Sequence, residues 1–189
     1  MLLICLTGCA SQPVRLFDVH DVDLATILIR WQDAVADANS RTDVQWHHGW
    51  IGNAAVADDP RHHFGKCIDW QELAYLAVRD VAGQAGYQMR MIRVNRGSLE
   101  HDAVIVFRLP AGASDALLYD RTFQKNVTVL DGWKRGGADA WPLDQWLAGQ
   151  QPLLKGLEVF DGDHEMTLRE AQHMDLRSRG FQLARRSDP

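Results

Sequence analysis

Residues 65–94 read "GKCIDWQELAYLAVRDVAGQAGYQMRMIRV", and they hold a change of period. From Cys67 to about Ala82, Leu73, Leu76, Ala77 and Val81 recur at helical spacing. The run "GQAG" then stops the helix. From residue 87 to 94 apolar and polar residues alternate, as in a half-buried strand. Outward from this junction, "HDAVIVFRL" (101–109) is apolar on both faces, as a central strand would be. "PAGAS" is a turn, "DALLYD" (115–120) reads as a third strand and "NVTVL" (126–130) as a fourth. Upstream, Leu24, Ile27, Leu28, Trp31 and Val35 predict a helix over 23–38, with Asp23 as its cap. Residues 39–65 read as irregular. "PLDQWLAG" predicts a short helix, and 163–179 a polar one. Helices first and an antiparallel sheet afterwards make an α+β pattern.

The 189 residues suffice for one domain with its own core. With 46% hydrophobic and 24% charged residues the chain is globular in composition. Its net charge of −5, with no basic cluster except Arg185-Arg186, argues against nucleic acid as a partner. There is no internal repeat, no low-complexity tract and no apolar stretch long enough to span a membrane.

The N-terminus, "MLLICLTGCASQ", is a short apolar run ending in Leu6-Thr7-Gly8-Cys9, although no Lys or Arg precedes it. It resembles a bacterial lipobox, in which the cysteine is lipidated and becomes the new N-terminus. That resemblance implies a signal segment over 1–8, lipidation at Cys9, a tether over 9–20 and a single domain over 21–189 with a C-terminal helical extension. Without an Asp after the cysteine, it implies the periplasmic face of the outer membrane. Cys5 would leave with the signal, and Cys67 would be the lone free thiol in an oxidising compartment.

Cys67 opens its helix, where the positive end of the dipole favours a thiolate. If the strands flanking 110–114 form a hairpin, His101 and Asp120 lie equidistant from its turn and within about one residue of pairing. A nucleophile, a base and a carboxylate that orients the base make a triad. The reading depends on register, because a slip of one residue turns a side chain to the other face.

These motifs resemble the transglutaminase-like cysteine peptidases of bacteria, in the papain-like superfamily. The family's Gly-Asp-Cys-x-Asp-aromatic is matched by Gly65-Lys66-Cys67-Ile68-Asp69-Trp70, its His-led apolar strand by His101-Asp102-Ala103-Val104-Ile105-Val106, and its apolar strand ending in Asp by Leu117-Leu118-Tyr119-Asp120. Trp46 to Trp50 echo its tryptophan-rich segment, so the likeness covers roughly residues 44–130. The resemblance implies a papain-like core whose cysteine-bearing helix packs on an antiparallel sheet. It implies a thiol-dependent hydrolase acting on an envelope protein or peptide, with Cys67, His101 and Asp120 catalytic and no cofactor. Acyl transfer, or a non-catalytic lipoprotein that binds a partner in the same cleft, are the alternatives.

Lys66 and Ile68 stand where adhesin-processing members carry acidic calcium-binding flanks, so calcium does not carry over. Lys66 is a candidate for tuning the thiolate. Asp69 is another, although a contact with the first turn of the helix suits it better. The Cys67 N–H is one oxyanion donor. Gln45, Trp46, Trp50 and Asn53 are candidates for the second or for the cleft. His47-His48 and His62-His63, near Asp58 and Asp59, follow no known ligand spacing, so no metal is expected.

Overall fold

A computed structural model describes residues 19–59, 63–95, 99–150 and 154–171, without the side chains of 170 and 171. The elements run α1 (Val22–Ser40), β1 (Gln45–Trp46), α2 (Gly49–Asp58), β2 (His63–Phe64), α3 (Cys67–Gln84), β3 (Gln88–Asn95), β4 (Glu100–Phe107), β5 (Thr128–Asp131), β6 (Asp139–Pro142), α4 (Leu143–Ala148), β7 (Gly156–Phe160) and α5 (Gly162–Ala171). Two 3-10 turns, Asp115–Tyr119 and Phe123–Asn126, lie between β4 and β5. The main sheet has the order β6-β5-β4-β3-β7 and is antiparallel throughout. A separate parallel pair joins β1 to β2. The fold class is therefore α+β.

The apolar stripe of α3 is wider than helical spacing alone suggests. Leu73, Ala74 and Val78 are fully buried while Leu76 and Val81 are half-buried. The helix is enclosed by α1 and by the sheet strands β3, β4 and β5. Even Gln71 is buried; its amide Nε2 donates to the carbonyls of Ile92 (2.9 Å) and Ala103 (2.7 Å), tying α3 to the sheet. The helix closes through Gly86, whose φ of +74° is costly for residues other than glycine. The cap of α1 is Asp21, two residues before the expected Asp23: its Oδ1 accepts from the N–H groups of Asp23 (2.9 Å) and Leu24 (3.0 Å).

Two expectations are corrected. Residues 39–65, read as irregular, contain α2 and the β1–β2 pair, elements too short to show a period. Residues 115–120, read as a strand, form a 3-10 turn. Only Leu118 of that turn is fully buried, Tyr119 is exposed, and Asp115 is held by Arg90 at 2.7 Å. β4 pairs instead with β5, in a register that sets Val104 opposite Leu130. The helix expected over 163–179 is present as α5 through Ala171; its remainder lies outside the described residues, as do Cys5 and Cys9. No described helix is long and apolar enough to cross a membrane.

Candidate active site

Cys67 is the first residue of α3, and three backbones converge to place it. Gly65 has a φ of +137°, and a Cβ there would sit 2.4 Å from the carbonyl oxygen of His47. A Cβ on Gly52 of α2 would meet the Gly65 carbonyl oxygen at 2.4 Å. Only glycine fits at either point. Asp69 Oδ2 closes the turn by accepting from Gly65 N–H (2.9 Å) and Lys66 N–H (3.0 Å). Asp69 is thus the first-turn contact that the sequence favoured.

The thiol faces β4. Sγ lies 3.3 Å from Asp102 Oδ2 and 4.0 Å from the Glu100 carbonyl oxygen. The other Asp102 oxygen is bonded to Arg93 Nε at 2.9 Å, and Arg93 also approaches Glu100 at 3.3 Å. Burial, reinforced by the Asp102 charge, pushes the Cys67 thiol up to about 12. The expected dipole-stabilised thiolate is corrected here. The helix terminus contributes about 0.3–1 kcal/mol, too little to offset burial beside an anion. Lys66 is exposed, and the charge nearest Sγ is a carboxylate.

His101 is 4% exposed and sits on the other face of the strand. Asp102 stands opposite Arg93 and His101 opposite Val94, so alternation sends the two neighbours apart. His101 Nε2 is 2.8 Å from Asp131 Oδ2, which also accepts from Trp146 Nε1 (2.9 Å). Asp131 Oδ1 accepts from the Trp133 backbone N–H at 3.0 Å. Burial would raise Asp131, but the His101 charge and these hydrogen bonds outweigh it and hold the carboxyl below its usual range. An ionised carboxylate only accepts, so Nε2 carries a proton, and in the neutral imidazole the lone pair is then on Nδ1. The ring lies between Trp146 (centroids 5.4 Å apart) and Trp133 (4.9 Å). Its Nδ1 is buried and has no hydrogen-bond partner among the described residues.

The expected His101–Asp120 pair is corrected in the same way. Asp120 is exposed, and its Oδ1 accepts from the N–H groups of Thr122 (2.9 Å) and Phe123 (2.8 Å). It caps a turn. The hairpin argument fails because 115–120 is not a strand. The carboxylate on His101 is Asp131, which the sequence reading passed by one residue: the run "NVTVL" is followed directly by Asp131. Asp102 was also missed, and it directly follows His101.

Among the remaining candidates, Trp46 stacks on Phe64 (5.2 Å) and meets Trp70 edge-on (4.9 Å), so it supports the loop before Cys67. Trp50 is 61% exposed and touches Trp133 edge-on. Gln45 is exposed on β1, and Asn53 is half-buried on α2. Cys67 is hydrogen-bonded to neither of them. His47 Nε2 and His63 Nδ1 are 2.8 Å apart, while His62 lies outside the described residues. Among the described residues no three His, Cys, Asp or Glu side chains form a group that could hold a metal ion. Beside His101 opens a cavity of about 350 Å³ whose lining includes Asp131, Trp50, Trp133, Trp141 and Trp146.

Comparison with protein-family models, with curated proteins and with solved structures gives no match.

Proposed function

We propose that the chain is a thiol-dependent hydrolase, a cysteine peptidase or amidase, with Cys67 as nucleophile, His101 as base and Asp131 orienting His101. The observation that carries this reading is the state of His101. One ring nitrogen is held by a buried carboxylate, and the other has no hydrogen-bond partner among the described residues. A structural histidine satisfies both nitrogens; a base keeps one available. The Cys67 thiol reaches the same strand at Glu100 and Asp102, the residues on either side of His101.

For the reaction Sγ must leave Asp102 and turn past the edge of β4, since His101 points to the other face of that strand; its proton then passes to His101 Nδ1 as sulfur attacks a carbonyl carbon. The Cys67 N–H, at the helix terminus, donates to the developing oxyanion. The carbon–nitrogen bond then breaks and His101 protonates the leaving amine, giving an acyl thioester. Water attacks that thioester, His101 taking its proton, and the carbon–sulfur bond breaks to restore the thiol. With an amine in place of water the product is an acyl transfer. Asp131 stabilises the imidazolium at each proton transfer. The papain-like fold and the relation to transglutaminase-like peptidases rest on the motifs around Cys67 and His101. A lipid on Cys9 would hold the domain at the periplasmic face of the outer membrane, within reach of envelope proteins and peptides.

The second reading is a non-catalytic envelope lipoprotein that binds a partner in this cleft. The Cys67–Asp102 contact favours it, since that contact keeps the thiol protonated. The two are separated by treating the full chain with p-nitrophenyl acetate and locating acetyl groups by mass spectrometry. A base-assisted thiol gives acetyl-Cys67 in wild type and far less in His101→Ala. No adduct at Cys67, or an equal yield in both, sinks the hydrolase reading.

A further inference from the structure

Four of the chain's seven tryptophans line the cavity beside His101. They come from four places in the fold: Trp50 from α2, Trp133 from the loop after β5, Trp141 from β6 and Trp146 from α4. Only the tertiary structure gathers them. The amide side chains of Gln145 and Gln150 belong to the same lining, and among the described residues no Val, Leu, Ile or Met joins them.

That lining excludes two common occupants. A pocket for an apolar side chain is walled mainly by hydrophobic groups with few polar ones; here four indoles share the described lining with two amides, an imidazole, a carboxylate and a lysine. An aromatic cage holds a cation on the ring faces, and a like charge in the wall opposes it. Here Lys134 belongs to the lining, and both Asp131 oxygens are already bonded to His101, Trp146 and Trp133. Packing accounts for Trp146, which is buried, and for Trp133 and Trp141, which pack against the core, but not for Trp50, which is 61% exposed. Indoles offer flat apolar faces, and amides offer donors and acceptors together. A pyranose ring needs that combination: C–H bonds on its face against an indole, hydroxyls at its edge on an amide. At about 350 Å³ the cavity is near the lower end of ligand pockets, about 300–1,000 Å³, which suits one ring.

We propose that this cavity binds a pyranose ring and, because His101 lines it while Cys67 does not, that the acyl group attacked by Cys67 is attached to a sugar seated beside His101. The second half rests on the hydrolase reading; the first does not. The test titrates the full chain with chitotriose and with cellotriose, following tryptophan fluorescence and saturation-transfer NMR, with N-acetyltryptophanamide and choline as the competing chemistries. At least one saccharide is expected to shift the emission. Its dissociation constant should rise at least about tenfold, about 1.4 kcal/mol, in Trp50→Ala and in Gln145→Ala, both at exposed positions where folding is preserved. The pocket is overturned if neither saccharide binds, if both variants bind as wild type does, or if only N-acetyltryptophanamide or choline binds. Acetylation of Cys67 on the same preparation separates the two readings. Saccharide binding without acetyl-Cys67 removes the hydrolase and keeps the pocket. Acetyl-Cys67 without saccharide binding does the reverse.

Discussion

Asp102 holds the Cys67 thiol at 3.3 Å with one carboxylate oxygen and Arg93 at 2.9 Å with the other. The nucleophile proposed here therefore rests against an anion, not against its base. Any reactivity of Cys67 must overcome that contact, and removing it should release the sulfur.

Asp102→Asn keeps the shape and deletes the charge. The thiolate fraction of Cys67 should rise, and alkylation by iodoacetamide at about pH 8 should speed up at least tenfold, equivalent to about 1.4 kcal/mol. Arg93 retains Glu100 as a partner, so the fold should survive. An unchanged alkylation rate would show that burial alone sets the thiol.

Burial, with this contact behind it, gives the thiol a pH signature. The folded thiol lies at about 12, above an ordinary thiol at 9.0. A group raised on folding stabilises the protein below its unfolded value, and that contribution is lost as pH climbs through the folded one. Cys67→Ala lacks this titration. The stability gap between wild type and Cys67→Ala should therefore shrink above about pH 9, as read by urea unfolding. A gap flat across that range would contradict the assignment.

Asp131 and Asp120 offer a paired comparison. Asp131→Ala removes the buried partner of His101 and Trp146. It should cost about 3–5 kcal/mol of stability and abolish acetylation of Cys67. Asp120→Ala removes two capping hydrogen bonds on an exposed turn. It should cost about 0.5–2 kcal/mol and leave acetylation as in wild type. If Asp120→Ala were instead the variant that lost the adduct, the site would have to be redrawn around it.

Gly65→Ala would place a Cβ 2.4 Å from the His47 carbonyl oxygen at a φ of +137°. Strain and overlap together should cost about 2–4 kcal/mol. Because the shift falls two residues before Cys67, acetylation should drop by more than the fraction unfolded explains. Circular dichroism on the same sample separates the two effects.

His47 and His63 touch at 2.8 Å, and burial followed by the neighbouring imidazole charge lowers His47 below the ordinary histidine value. A group lowered on folding stabilises the protein above its unfolded value and loses that contribution as pH falls through the folded one. His47→Gln should therefore reduce the loss of stability seen by thermal unfolding below about pH 6.5. An identical acid limb in the two proteins would rule the pair out as its source.

Local pattern determined much of this molecule. The period of 3.6 in α1 and α3, the alternation in β3 and the apolar run in β4 are written in consecutive residues. The solvent they face makes them legible without a fold. Cys67 at a helix start and His101 near a strand start followed from the same patterns, and so did Asp69 as a first-turn contact. The packing of the cysteine-bearing helix on an antiparallel sheet held, and what failed was the pairing of individual side chains across the chain. Whether Asp120 or Asp131 meets His101 depends on which segment pairs with β4. Several weak preferences compete there, and the burial of one leucine rather than an alternating set decides it. Asp102 reaches Cys67 because α3 lies on one face of β4, while His101, its neighbour, points to the other. The thiolate expected of Cys67 was a local argument about one helix terminus, and it lost to burial and to a carboxylate 35 positions away. The four tryptophans of the cavity are spread from residue 50 to residue 146. Residue identity and period fix which elements form. Only the packing of those elements decides which side chains share a site, because that choice is made by long-range contacts that no short window of sequence contains.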